Sequence, residues 1–279
     1  METLIVERKD GVVTVTMNRP ERKNAANGAM LRELRTTFEE IEDNPEDRCM
    51  VLTGAGGAFC SGADLSDPSG PATDPTRSGL SRMRRLGDVA LALHHISKPT
   101  IAKVDGFAVG AGLSLALGCD LIVCSDRAKL SMIFSRRGLV LDNGASWLLP
   151  RLVGMAKAKE IALFGGMWSG EEAAAMGLVN RVMSLDELDG FVDDWASTLA
   201  AGPPLALSMT KTLLHASSMA SMEQAVEDEA RCQALNFSPR TRPRLWLPSP
   251  RSGMRSSSAA DRSDLPLIEW GRCSAVSKA

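Results

Sequence analysis

The sequence predicts an α/β body followed by a helical carboxyl-terminal part, and three observations carry that prediction. Apolar segments of strand length alternate with longer segments whose apolar residues fall three and four apart. Gly-rich turns twice join such a strand to the helix after it. From residue 156 onward the pattern becomes mostly helical.

Taken in order, METLIVERKDGVVTVTMNRP alternates apolar and polar residues around Asp10 and Gly11, as a hairpin does. Residues 27–41 carry Met30, Leu31, Leu34, Phe38 and Ile41 at helical spacing, and 50–52 reads as a short buried strand. A Gly/Ser/Pro-rich stretch over 54–79 leads to a helix over 80–95, a strand at 100–104, and a Gly-rich turn opening a helix over 111–117. Residues 121–124 and 129–132 read as further strands and 178–183 as the last, with helices at 156–164, 170–176, 185–200, 204–215 and 222–237. The expected divisions are a core over 1–195, a helical region over 196–237 and an atypical tail over 238–279.

With 279 residues and 44% hydrophobic side chains the chain can bury a sizeable core. Its 32 basic against 34 acidic side chains and the absence of a basic stripe interleaved with aromatics argue against nucleic acid as a partner of the body. Six cysteines without a CxxC pair and three histidines make no metal pattern, so reduced thiols in a cytoplasmic enzyme are the plain reading. The amino terminus lacks a basic start followed by a continuous apolar stretch; neither a signal peptide nor a membrane span is expected.

The tail holds seven Arg and one Lys against three acidic residues, a net of +5 that leaves the body at −7. Its prolines and lack of period predict disorder. Codons can be chosen for residues 238–262 that spell TEDTTEAMAAFAEKRDAVVFSGR and then a stop in a shifted frame, an amphipathic helix with an ending. The expectation is a reading-frame change near Ser238, which the coding DNA would test. A nucleic-acid-binding role for the tail rests only on the arginines from Arg240 to Arg262.

Two turns invite chemistry: LTGAGGAFCSGADL at 52–65 and DGFAVGAGLSL at 105–115. Where a Gly-rich turn opens a helix, N–H groups lack intrahelical acceptors and the macrodipole favours negative charge, so two converging turns could hold an oxyanion. Either turn alone is as well explained by tight backbone packing, and neither completes a phosphate-binding loop. Together, and in order with MNRPERKNA (17–25), KPTIA (98–102), GLVLD (138–142), LPRLVG (149–154) and AAMGLVN (174–180), they resemble the crotonase superfamily, the enoyl-CoA hydratase and isomerase fold, from about Ile5 to Phe237.

The resemblance implies a core of repeated ββα units, a helical trimerisation region giving a homotrimer or hexamer, and an acyl-CoA thioester as substrate, with coenzyme A part of that substrate and no separate cofactor. It implies that the N–H groups of Ala63 and Ala111 hold the thioester oxygen, and that Lys23, Ala25, Ser61, Asp64, Leu65, Gly110, Ser114 and Phe134 line the substrate site. Ala111 stands where many relatives have the middle of three glycines; the group used is the amide. The two glutamates of the family's hydratases fall on Ser114 and Phe134, and losing general acid–base help typically costs about 10²- to 10⁴-fold. Asp142 falls where phenylacetate-pathway isomerases and chlorobenzoyl-CoA dehalogenases place a catalytic aspartate; the dehalogenases also expect a Trp at the Phe134 position. Double-bond isomerisation, in which one carboxylate removes a proton at one carbon and returns it at another, fits these residues better. Hydration without the usual glutamates and non-catalytic acyl-CoA binding remain as alternatives.

Plainer roles stand beside these. Asp142 could cap a helix starting at Ala145, Asp64 could pair locally, and Arg22 and Lys23 could be solvent-exposed loop residues rather than phosphate contacts. His94 and His95 are expected to meet the terminal carbonyls of their helix, Cys60 to be packed and inert, and Trp147 and Trp168 to be core or interface aromatics.

Overall fold

The computed structural model describes residues 1–67 and 78–238; part of the Gly/Ser/Pro-rich stretch and nearly all of the predicted tail lie outside the described residues. The first hairpin, β1 (Leu4–Lys9) and β2 (Val12–Met17), pairs Lys9 with Val12 across a two-residue turn. Asp10 and Gly11 take φ of 51° and 80° there, the left-handed pair that matches the twist of the strands. Helix α1 (Gly28–Asp43) starts where the Asn27 side chain accepts from the Met30 N–H at 2.8 Å, and it buries Met30, Leu34, Phe38 and Ile41 as the spacing predicts. Each such side chain contributes roughly 1.5–3 kcal/mol relative to exposure.

Next come β3 (Cys49–Gly54), α2 (Gly79–His95), β4 (Thr100–Val104), β5 (Phe107–Val109), α3 (Ala111–Gly118), β6 (Leu121–Ser125) and β7 (Lys129–Ser131). A short 3-10 turn leads into α4 (Ala145–Phe164), and β8 (Trp168–Ser169), α5 (Gly170–Ala175) and β9 (Arg181–Met183) complete the strands. Helices α6 (Leu185–Ala201), α7 (Pro204–Ser217) and α8 (Met222–Asn236) follow. Six strands form one sheet in the order β1-β2-β3-β4-β6-β9, parallel except for β1; β5, β7 and β8 form a second sheet.

The central strands are buried on both faces with period two. Met50, Leu52, Ala102, Val104, Ile122 and Cys124 enter the large core against the helices, whereas Cys49, Val51, Ile101 and Val123 meet Leu188, Val192, Ala196 and Ala200 of α6 on the other face. Cys49, Cys60, Cys119 and Cys124 are all buried free thiols. Two expectations are corrected here. The division at residue 195 falls inside α6, whose apolar stripe packs on the sheet through Ala200, so the body runs at least to Ala201. Second, the helix expected over 156–164 is present but does not stand alone: α4 is two helices joined at Gly154 (φ 74°, ψ 160°), a conformation open to glycine, and the first of them starts at Ala145.

Helices α7 and α8 bury none of their residues. Asp120 secures α7: it accepts from Lys211 Nζ at 2.8 Å and from the N–H and hydroxyl of Thr100 at 2.8 and 2.9 Å, with His215 Nε2 3.9 Å away. No described helix is long and apolar enough to cross a membrane.

Candidate active site

The strands deliver the two Gly-rich turns to one place. Cys60 forms a bridge with Ala108, through Cys60 N–H to Phe107 O and Val109 N–H to Cys60 O, both at 2.9 Å. Close backbone approach depends on missing Cβ atoms: one built on Gly112 would stand 2.2 Å from Cys60 O, and one on Gly62 2.9 Å from Val109 O and 3.9 Å from Ala111 N. Ala63 bridges Ala26 on the other side. Ala111 opens α3, where an N–H has no intrahelical acceptor, and among the described residues neither its amide nor that of Ala63 meets an acceptor elsewhere. Two unspent donors at the junction of converging turns are what an oxyanion requires.

Asn24, a buried residue within the MNRPERKNA motif that the sequence reading did not single out, braces the first turn. Its Nδ2 donates to Ala55 O and Ala58 O at 2.8 and 2.7 Å, and its Oδ1 accepts from the Arg19 N–H. Asp105 begins the second turn, accepting from Ser125 Oγ at 2.8 Å and from the Arg127 guanidinium; the hydrogen bond from Arg127 holds its carboxyl below the ordinary range.

Gly110 takes φ 55° at the start of α3 and donates to Ser131 O. Ser114 is buried and its hydroxyl donates to Gly110 O at 3.2 Å; Phe134 is buried beside the same turn, its ring tip 3.9 Å from where a Cβ on Gly110 would lie. Asp64 is committed locally, to Ser66 and in an ion pair with Arg19 at 3.0 Å, and the Ser66 hydrogen bond leads in lowering its pKa. Arg22 and Lys23 are exposed, with Lys23 Nζ 4.6 Å above the Phe107 ring. Ala25 gives its carbonyl to Arg19, Ser61 gives its hydroxyl proton to Arg22 O, and Leu65 is exposed. Cys60 is buried and its thiol pushed up to about 11, so it is inert.

Asp142 does not cap α4. Gly144 occupies the capping position in a left-handed conformation (φ 78°) with no side-chain cap, and the Asp142 carboxylate instead accepts from Asn143 Nδ2 at 3.0 Å. Burial raises its pKa, with the Asn143 hydrogen bond opposing. Asn143 is itself held at φ 47°, and its Oδ1 is closed off without a partner.

A cavity of about 340 Å³ lies between α2, α3 and the start of α4, lined among others by Leu91, His94, Ser114, Asn143, Trp147 and Leu148. Its place corrects two expectations, one for the histidines that end α2 and one for Trp147. His94 and His95 do not bond the end of α2; His94 stacks on His215 with centroids 4.4 Å apart and planes 14° apart, and meets Trp147 edge-on at 5.5 Å. Trp147 is a cavity wall rather than a core aromatic. Trp168 packs against the main core as expected, partly buried and with its Nε1 unpartnered. Among the described residues no group of three or more His, Cys, Asp or Glu could hold a metal ion.

Residues 7–242 match the family model described as enoyl-CoA hydratase/isomerase. The chain is 36% identical to the 1,2-epoxyphenylacetyl-CoA isomerase of Escherichia coli K12, over 84% of this chain and 90% of that one, and 36% identical to 4-chlorobenzoyl coenzyme A dehalogenase-1 of an Arthrobacter species, over 80% and 82%. A crystal structure of an enoyl-CoA hydratase from Mycobacterium smegmatis superposes with a TM-score of 0.78 at 32% identity, covering 86% of this chain and 93% of that one.

Proposed function

The chain belongs to the enoyl-CoA hydratase/isomerase family of acyl-CoA enzymes, with the crotonase fold, and from that premise we propose that it moves a carbon–carbon double bond along an acyl-CoA thioester. The observation that carries this reading is Asp142: a carboxylate freed from capping duty, desolvated, and next in sequence to the cavity-lining Asn143, while Ser114 and Phe134 stand where the resemblance expects two glutamates. Asp142 takes a proton from one carbon of the substrate; the electron pair flows into the thioester to give a dienolate, whose oxygen receives the N–H groups of Ala63 and Ala111. The same carboxyl then returns the proton two carbons away. One proton moves and no electrons are gained or lost, so the step draws only on the thioester and the chain's own residues.

The remaining site residues serve binding in this reading. Lys23 and Arg22 are exposed cations available to coenzyme A phosphates, Ala25, Ser61, Asp64 and Leu65 border the first turn, and Gly110, Ser114 and Phe134 shape the acyl side. Assembly as a homotrimer or hexamer is part of the proposal, supported by the unburied faces of α7 and α8.

The test follows trans-2- and trans-3-enoyl-CoA esters by mass and absorbance with wild-type protein and Asp142→Asn, both first shown to bind acyl-CoA. Double-bond migration without mass change is expected, falling about 10²- to 10⁴-fold in the variant. Addition of water would make the protein a hydratase without the usual glutamates. Binding without turnover of either ester would make it an acyl-CoA binder.

A further inference from the structure

Resting on the acyl-CoA reading, we propose that the acyl group seated in the cavity carries a hydroxyl at the end remote from the thioester, and that His94 recognises it. The cavity's direction comes from α3. Ser114, Leu115 and Gly118 line it, so it runs along the helix away from the Ala111 amide, and the helix from Ala111 to Gly118 is about 10 Å long. Leu93 abuts the far end: a Cβ on Gly118 would lie 2.8 Å from Leu93 Cδ2. His94 also lines the cavity and stacks on His215, whose Nε2 is 3.9 Å from Asp120 just past the end of α3, so it borders the cavity at this distal end.

The polar side chains on the walls are Ser114, Asn143, His94 and Trp147; the indole of Trp147 can only donate, and Ser114 and Asn143 are spent. The Ser114 proton goes to Gly110 O; Asn143 Nδ2 serves Asp142 while its Oδ1 is closed off. His94 makes ring contacts with His215, His95 and Trp147 but has no hydrogen-bond partner among the described residues. Its ring is held in place with its nitrogens unused.

The choice of hydroxyl follows from charge. His94 is faced by His215 and His95, by Lys211 on α7 and by Asp120; burial first, then the repulsion of the two histidines and Lys211, lowers its pKa against the pull of Asp120. A neutral imidazole offers one donor and one acceptor, the pair a hydroxyl can use, whereas a carboxylate would call for imidazolium.

Calorimetry with saturated acyl-CoA esters of six to eight carbons, ending in methyl, hydroxyl or carboxylate, tests this without turnover. At pH 7.5 the best-fitting ω-hydroxy ester should bind wild-type protein roughly tenfold tighter than its methyl counterpart. His94→Phe, which keeps a ring against His215, should bring the hydroxyl and methyl esters to equal affinity; His94→Asn, which keeps a donor and an acceptor, should retain part of the difference. Equal binding of methyl and hydroxyl esters, tightest binding of the carboxylate, or a preference that survives in His94→Phe would each overturn the proposal while leaving double-bond migration standing. Failure of every ester to bind would overturn the acyl-CoA reading with it.

Discussion

A single aspartate shows how chemistry and stability oppose each other. Burial raises the Asp142 carboxyl above its ordinary value, so the folded chain binds that proton more tightly than the unfolded chain. Its contribution to stability is therefore fully present below the unfolded carboxyl's pKa and is lost as pH rises through the higher folded one. Asp142→Asn removes a desolvated charge and should melt higher than wild type at neutral pH, a gain that shrinks as pH is lowered into the carboxylate range; an unchanged or lower melting temperature at pH 7 would sink the idea. The acid limb of kcat/KM should correspondingly lie above the ordinary aspartate value of 3.8, because the base works ionised. Sequence motifs made Asp142 a candidate but left base and helix cap level, since the choice turned on the left-handed conformation of Gly144. His94 and Asn143 were not legible as cavity residues: the cavity belongs to three helices, and no local spacing encodes it.

Among elements, glycines separate packing from propensity. Gly112 lies on α3 with Cys60 O where its Cβ would go, so Gly112→Ala must push the two turns apart. We expect it to destabilise by about 1–3 kcal/mol and to cost activity by misplacing the Ala63 and Ala111 amides. Gly87, within α2, would meet nothing within 4 Å. Gly87→Ala should stabilise by about 0.4–1 kcal/mol in denaturant titration with turnover unchanged. If the two substitutions behaved alike, backbone contact between the turns would not be what matters. The hairpin, α1, α2 and β4 were legible because each holds its own period long enough to be read. Strands β5 and β8, three and two residues long, were not, since pairing in the second sheet defines them rather than any pattern of their own.

At the scale of the molecule, the alternation of strand and helix announced an α/β body, while the division into two sheets and the packing of α6 on the far face followed from pairings distant in sequence. Leu214 of α7, Met219 in the turn after it, Met222 of α8 and Phe237 just past its end are exposed, an apolar surface suited to other copies of the chain. Sedimentation should give a trimer or hexamer, with smaller species on Met219→Glu/Met222→Glu; a monomer at micromolar concentration would contradict the proposed assembly. Because Asp120 carries the ion pair to Lys211, Asp120→Asn should loosen α7 by on the order of 1–3 kcal/mol, seen as earlier protease cleavage after Ala201 while the body persists.

The buried thiols turn this architecture into its own recorder. Burial raises all four, with Cys49 pushed up to about 12 and Cys60 and Cys124 to about 11, so each is chemically silent until its surroundings part. They sit on β3, in the first turn, after α3 and on β6, whereas Cys232 on α8 is only partly covered. Pulse alkylation read by mass spectrometry would thus timestamp the opening of each layer, with no foreign label introduced.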